Sequence, residues 1–148
     1  MSTGRESRIL AMQALCQFEA HGDAFLAELD AFLRDESPPE EVFTYARGLA
    51  AEGWKQRETI DALIEQTAEH WSVKRMAIVD RNILRMAVSE LRLNPDLSVK
   101  IVINEAVDIA KAFGAAESGG FINGILDAIA IKSTDAAETQ PTPPAGEP

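Results

Sequence analysis

Two arginines one helical turn apart, Arg5 and Arg8, stand at the beginning of the chain. Guanidinium groups at this spacing can reach neighbouring phosphates of a nucleic acid, because each offers a planar fork of donors. The same pair also fits an ordinary solvated helix end. With only two charges, a solvated helix end is the better interpretation, and a phosphate-contacting arm needs support from elsewhere in the sequence.

A glycine-rich stretch, GAAESGG at residues 114–120, is the second candidate. It opens a predicted helix, and the free backbone N–H groups at such a point can hold a phosphate. It lacks the Gly-Lys-Ser/Thr of a nucleotide P-loop and follows a helix instead of a strand, which argues against a nucleotide site. A plain turn between helices and a backbone contact to a nucleic acid both remain open.

Catalytic chemistry is poorly supported by the remaining polar residues. His21 and His70 have no metal-ligand pattern around them, and the single cysteine, Cys16, lies in an apolar helix as a small hydrophobe. Glu40 and Glu41 belong to an acidic, solvated face, with no sign of environments that separate their pKa values. We expect a protein that is not an enzyme, with no cofactor and no metal.

The composition describes one modest domain with an uneven charge. The chain has 148 residues, 46% of them hydrophobic, and a net charge of −10. Residues 21–70 hold 12 acidic and four basic side chains, whereas residues 71–111 hold five acidic and seven basic ones, so a local basic surface is possible. No apolar run is long enough for a membrane helix and no signal segment is visible, which predicts a cytoplasmic protein.

Glycine and proline punctuate the chain at helical intervals, and no segment alternates with the period of a strand. The pattern predicts an all-α, single-domain bundle of about seven helices within residues 1–132. Ser37 and Glu40 have the spacing of a capping box, with Pro38 at the first helical position. Residues 133–148 contain four prolines and no large apolar side chain, which predicts a disordered tail. The predicted helices cover about residues 5–20, 24–34, 38–53, 54–69, 77–93, 99–113 and 118–132.

Three runs in the second half carry a family resemblance: VDRNILRMAVSEL at 79–91, VKIVINEAVDIAKAFG at 99–114 and FINGILD at 121–127. The opening helix adds an Arg-x-x-Arg motif and the run AMQAL at 11–15. Together these segments resemble the NusB family of bacterial transcription antitermination factors over roughly residues 5–131.

The resemblance implies a seven-helix bundle that binds the boxA element of ribosomal RNA operon transcripts. It also implies a partner, the small-subunit ribosomal protein NusE, with which the RNA is delivered to the antitermination complex on RNA polymerase. The residues that match the family's RNA contacts are Arg5, Arg8, Lys100, Glu117, Ser118, Gly119, Gly120 and Phe121.

The resemblance also implies a NusE-facing set formed by Cys16, Asp80 and Arg81. Asp80 has an alternative role as an N-terminal helix cap. The chain departs from the family's pattern in its sparse arginines, in Cys16 where a tyrosine is usual, and in Gly119 and Gly120 where bulkier residues are found. We therefore expect weak RNA affinity in isolation, and a free protein that is a monomer or a weak homodimer.

Two other functions remain open at this point. A helical adaptor that binds only protein fits the acidic surface. A detached RNA-binding domain of an RNA methyltransferase is the enzyme-related alternative, although the chain has no room for a methyltransferase fold.

Overall fold

The computed structural model describes residues 3–68 and 70–139. Over these residues the chain forms seven α-helices and two 3₁₀-helices, with no β-strand, which confirms the all-α prediction. No helix in these ranges is long and apolar enough to cross a membrane. The elements are α1 (Thr3–His21), a first 3₁₀-helix (Gly22–Glu28), α2 (Leu29–Arg34), α3 (Glu40–Lys55), α4 (Arg57–Thr67), a second 3₁₀-helix (Val73–Arg75), α5 (Ile78–Leu93), α6 (Val99–Phe113) and α7 (Ser118–Thr139).

Helix α5 lies at the centre of the bundle. Every residue from 82 to 90 is buried, and the helix contacts α1, α3, α4, α6 and α7. Its apolar residues recur on two sides, which is the pattern of a helix surrounded by others. Fully burying a side chain such as Ile83, Leu84 or Met86 contributes about 1.5–3 kcal/mol to folding.

The second predicted helix is only partly an α-helix. Gly22 follows α1 with a φ of +72°, a left-handed conformation that glycine adopts without strain. The tighter 3₁₀ turns after it bring the Phe25 ring edge-on to Phe18, with 4.9 Å between centroids. The regular helix begins only at Leu29.

The capping box predicted at Ser37 and Glu40 is wrong. Ser37 has a φ of +50°, and the residue before α3 is Pro39, which makes no side-chain cap. The Glu40 carboxylate instead accepts hydrogen bonds from Arg34 at 3.0 and 3.2 Å. This ion pair joins the end of α2 to the start of α3, so the glutamate is engaged across the turn and not with the backbone of its own helix.

The last two helices differ in how well their ends are predicted. Helix α6 has the predicted bounds, because Ser98 caps its start by accepting a hydrogen bond from Ile101 N and Gly114 follows its end. Helix α7 continues to Thr139, beyond the predicted end at residue 132. Residues 133–139 contain no glycine or proline, and alanine and glutamate favour a helix. The rest of the predicted tail, 140–148, lies outside the described residues.

Candidate RNA and partner interface

Arg5 lies across helix α6, where two carboxylates hold it. Its Nε donates to Glu105 Oε2 at 2.9 Å, and its Nη2 contacts Asp108 Oδ2 at 2.6 Å. The Arg5 side chain is 37% exposed and that of Asp108 47%, so this ion pair faces solvent. An anion arriving at this point meets a guanidinium that is already oriented but partly neutralised.

Arg8 has a different environment, because it is buried. Its Nε and Nη2 donate to the two carboxylate oxygens of Glu90 at 2.7 and 2.8 Å, and its Nη1 contacts Glu105. The Tyr45 hydroxyl donates to the same Glu90 carboxylate. Burial and this neighbouring carboxylate raise the pKa of Tyr45 above its ordinary value. Contact between Arg8 and RNA stays a prediction, and its side chain is only 7% exposed.

The glycine-rich turn is tied to helix α5. Ser118 Oγ accepts a hydrogen bond from Ala115 N at 2.9 Å and donates to Asp80 Oδ2 at 3.1 Å. Gly119 is buried against Lys111, whereas Glu117 and Gly120 are exposed. The hydroxyl of Ser118 is therefore used within the protein, and it fixes the turn from which α7 starts.

Asp80 is not the cap of α5. The capping position is Ala77, with no side-chain hydrogen bond, and Asp80 is the third residue of the helix. Among the described residues its Oδ1 is buried and accepts no hydrogen bond. Asp80 Oδ2 accepts a hydrogen bond from Ser118 at the start of α7, so the carboxylate links α5 to α7 and does not cap its own helix.

Arg81, another residue of the predicted NusE-facing set, belongs to a cluster of charges between α1, α4 and α5. Arg81 donates twice to Glu19, at 2.5 and 2.8 Å, and Arg85 binds both Glu19 and Asp61. Burial tends to raise the pKa of Glu19, but hydrogen bonds from the two arginines outweigh it and leave that pKa below its ordinary value. Arg81 and Arg85 thus belong to an internal ion-pair cluster that joins α5 to α1 and α4.

Cys16 lies one turn before Glu19 on α1. Its Sγ contacts Met12 Sδ at 4.0 Å, and burial, followed by the Glu19 carboxylate, raises the pKa of the thiol. A thiol with a raised pKa forms little thiolate at neutral pH, which supports the prediction that Cys16 acts as a small hydrophobic side chain. In the described part of the chain, no group of His, Cys, Asp and Glu has the geometry of a metal site.

Three of the predicted RNA-contacting residues lie on helix α6 or against it. Asp108 holds Arg5, and Lys111, one turn later, lies beneath Gly119. Lys100, on the first turn of the same helix, is exposed and forms no ion pair with any described residue. Helix α6 therefore carries Lys100 and contacts both Arg5 and the start of α7.

Sequence reasoning missed Glu90 and Glu105, which carry the ion pairs beneath this surface. Glu90 is entirely buried, and Glu105 is hydrogen-bonded to both α1 arginines. A signal for the first was present, since a lone glutamate within the apolar run of α5 needs a buried partner. The sequence contained no signal that this partner is Arg8.

Gly114 gives a test of the α6–α7 turn. A Cβ there would lie 2.7 Å from Ser118 Oγ and 2.9 Å from the Ala110 carbonyl oxygen, so Gly114→Ala is expected to lower the free energy of unfolding by about 1 kcal/mol or more. Gly120→Ala is the matched control, because a Cβ at this helical position meets nothing within 4 Å and should stabilise by about 0.5–1 kcal/mol. Urea unfolding of both variants measures the difference. Equal stabilities would contradict this packing of the turn.

Comparison with known proteins agrees with the sequence resemblance. The family model described as the NusB family matches residues 5–131. A transcription antitermination protein NusB of Geotalea daltonii is 44% identical over 143 residues, covering 91% of this chain and 99% of the relative. The NusB protein of Bdellovibrio bacteriovorus is 42% identical, covering 87% of this chain and 96% of its own.

Solved structures extend the agreement to the fold. Thermotoga maritima NusB has a TM-score of 0.75 at 34% identity and covers 89% of this chain and 92% of its own. A structure of the antitermination factors NusB and NusE with double-stranded RNA has a TM-score of 0.78 at 26% identity, covering 89% and 98%. The named relatives are antitermination proteins and not methyltransferases, which supports the prediction that this protein is not an enzyme. The matched family model, the relatives and the shared fold together establish that the chain belongs to the NusB family.

Proposed function

We propose that this protein is a transcription antitermination factor that acts in the cytoplasm. It binds the boxA element of ribosomal RNA operon transcripts together with the ribosomal protein NusE and delivers the RNA to the antitermination complex on RNA polymerase. The observation that carries the proposal is that α6 contacts both neighbouring elements of the site. Its Asp108 binds Arg5 of α1, and its Lys111 packs against Gly119 at the start of α7. This arrangement supports a continuous RNA track across α1, α6 and α7.

Within this track we assign direct contacts to Arg5, Lys100 and the exposed backbone near Gly120. Arg8 lies behind them, and its Nη1 contacts the same Glu105 that receives Arg5. Its role in this proposal is to position Glu105 and hence the Arg5 guanidinium. With a net charge of −10 the protein has few cations to offer, so the partner must supply part of the positive surface.

The direct test of RNA contact is the salt dependence of binding. If roughly 2–4 phosphates are neutralised on a single strand, the slope of log K against log salt should be about −1.4 to −2.8. Arg5→Ala and Lys100→Ala should each weaken boxA binding and make the slope flatter by about 0.7 per lost contact. The measurement is a titration of labelled boxA RNA with NusE present, at several salt concentrations.

Lys55→Ala is the matched control for this titration. Lys55 is also exposed, but it lies on the last turn of α3, outside the proposed track. Its removal should leave the salt slope unchanged. An unchanged affinity and slope in the Arg5→Ala, Lys100→Ala double variant would contradict the track, and an absence of RNA binding with NusE bound would favour the protein-only adaptor.

The role of Asp80 toward NusE has its own test. A carboxylate in the first turn of a helix is favoured by the helix dipole and can pair with a basic partner. Asp80→Asn keeps an oxygen to accept the hydrogen bond from Ser118, so it should preserve stability while weakening NusE binding. Calorimetry at fixed salt measures that affinity. Unchanged NusE affinity would reject the anchor role, and a loss of stability would indicate that the charge is needed for folding.

A further inference from the structure

An aromatic pair lies at the start of α7: Phe121, which the resemblance counts among the RNA contacts, and the exposed Trp71, which has no role assigned above. The Trp71 and Phe121 rings pack edge to face, with 5.6 Å between centroids and an interplanar angle of 75°. Phe121 is half-buried against the core, while Trp71 is 55% exposed. The contact with Phe121 restrains the indole, which leaves a large oriented aromatic surface in solvent.

The other tryptophan shows what a structural indole looks like in this fold. Trp54 is half-buried, stacks on Phe18 at 5.2 Å, and donates from Nε1 to Asp23 at 2.8 Å. Among the described residues, Trp71 has no hydrogen bond from its Nε1 and has only Phe121 as a ring neighbour. An indole exposed in this way contributes little to the core and is typical of a binding surface.

The charges near Trp71 favour a nucleic acid as the ligand of this surface. Lys74 and Arg75, on the adjoining 3₁₀-helix, are both exposed and form no ion pair in the described part of the chain. The nearby Glu65 carboxylate accepts a hydrogen bond from Val73 N. Aromatic rings next to unpaired cations are the combination that binds single-stranded nucleic acids, because bases stack on the rings while cations contact phosphates.

We propose that Trp71, restrained edge-on by Phe121, stacks an unpaired base of the bound RNA and extends the RNA track beyond α7 to the segment before α5. This inference rests on the proposed RNA-binding function and adds a residue to that site. The chemistry fits a single-stranded RNA, since the exposed ring face needs a base that is free of its own duplex stack.

The experiment uses the indole as its own reporter. The chain has two tryptophans, so Trp54→Phe leaves Trp71 as the only one and keeps an aromatic ring on Phe18. Titration of this variant with single-stranded boxA RNA, in the presence of NusE, should quench the Trp71 fluorescence. In the otherwise unchanged protein, Trp71→Ala should lower RNA affinity by about 5- to 150-fold with the salt slope unchanged, whereas Trp71→Phe should retain most of the affinity.

The control is Leu26→Ala, because Leu26 is also 55% exposed but lies on the first 3₁₀-helix. It should leave RNA affinity unchanged. Full RNA affinity in Trp71→Ala overturns the stacking proposal while the proposed function stands. Weaker NusE binding with unchanged RNA binding overturns it in favour of a protein contact, and failure of the unaltered protein to bind boxA RNA with NusE overturns both.

Discussion

Replacing Arg8 with methionine is expected to destabilise the folded protein by about 3–5 kcal/mol, because it leaves a buried carboxylate without its cation. Glu90 is fully buried and accepts two hydrogen bonds from Arg8, at 2.7 and 2.8 Å. Burial disfavours the charge on Arg8, yet the hydrogen bonds and the Glu90 charge outweigh it, and the pKa of Arg8 lies above its ordinary value. Urea unfolding followed by circular dichroism measures the loss.

Two further variants show whether the loss comes from an uncompensated charge. Arg34→Ala removes an exposed ion pair with Glu40 and should cost no more than about 1 kcal/mol. The triple variant Arg8→Met, Glu90→Leu, Tyr45→Phe removes the cation, the carboxylate and the hydroxyl that donates to it, so it should recover much of the stability. A single Arg8→Met variant as stable as the unaltered protein would contradict the buried pair.

This stability effect also separates two explanations for any RNA defect of Arg8 variants. If Arg8 positions Glu105 and Arg5, then the folded triple variant should still bind RNA, but Glu105 should orient the Arg5 guanidinium less firmly. If Arg8 contacts phosphate directly, the triple variant should lose the same increment of salt slope as Arg5→Ala. RNA affinity therefore has to be measured at a temperature where each variant is folded.

Helix α6 shows how far sequence patterns reach in this fold. Its ends are marked by Ser98 and Gly114, and its inward residues recur with helical spacing, so local information suffices to predict its bounds. Apolar residues cover two sides of the α5 sequence, and this local pattern likewise indicates a helix surrounded by others. Patterns of this kind depend on residues within one or two turns of each other.

Most of the features that sequence reasoning missed are contacts between distant segments. Arg8 and Glu90 are 82 positions apart, and Arg81 and Glu19 are 62 apart, so no spacing rule pairs them. The sequence leaves Arg5 and Arg8 as either a solvated helix end or a phosphate-contacting arm, because an arginine is rarely buried without a partner, and the pairing that buries Arg8 appears only in the folded bundle. The capping box predicted at Ser37 is a local error. Its Glu40 forms an ion pair with Arg34, and Ser37 has a positive φ.

The resemblance implies which residues form the candidate site but not how they contact one another. The resemblance named Asp80 and Ser118 for two different surfaces, and the structure joins them by a hydrogen bond of 3.1 Å. The start of α5, which carries Asp80 and Arg81, is thereby linked to the turn that starts α7. If NusE binds at the first surface and RNA at the second, as we propose, this hydrogen bond is a physical route for coupling between them.

Binding of NusE and of boxA RNA is therefore expected to be mutually reinforcing, by about 5- to 150-fold, or roughly 1–3 kcal/mol. An acidic protein with few cations holds RNA weakly by itself, and a basic ribosomal protein docked near Asp80 extends the positive surface along the RNA. Calorimetry at fixed salt should give RNA affinity with and without NusE, and NusE affinity with and without RNA. Thermodynamic linkage requires the same factor in both directions.

Ser118→Ala tests whether the α5–α7 link contributes to this coupling. The change removes the hydroxyl that joins Asp80 to Ala115 N, so it should reduce the coupling factor more than it reduces the affinity for NusE alone. Gly124→Ala, on the same helix but outside the proposed RNA track, is the control, because a Cβ there meets nothing within 4 Å; it should leave both NusE affinity and the coupling factor unchanged. A full coupling factor in Ser118→Ala would show that the reinforcement comes from the combined positive surface alone, and equal RNA affinity with and without NusE would reject the coupling itself.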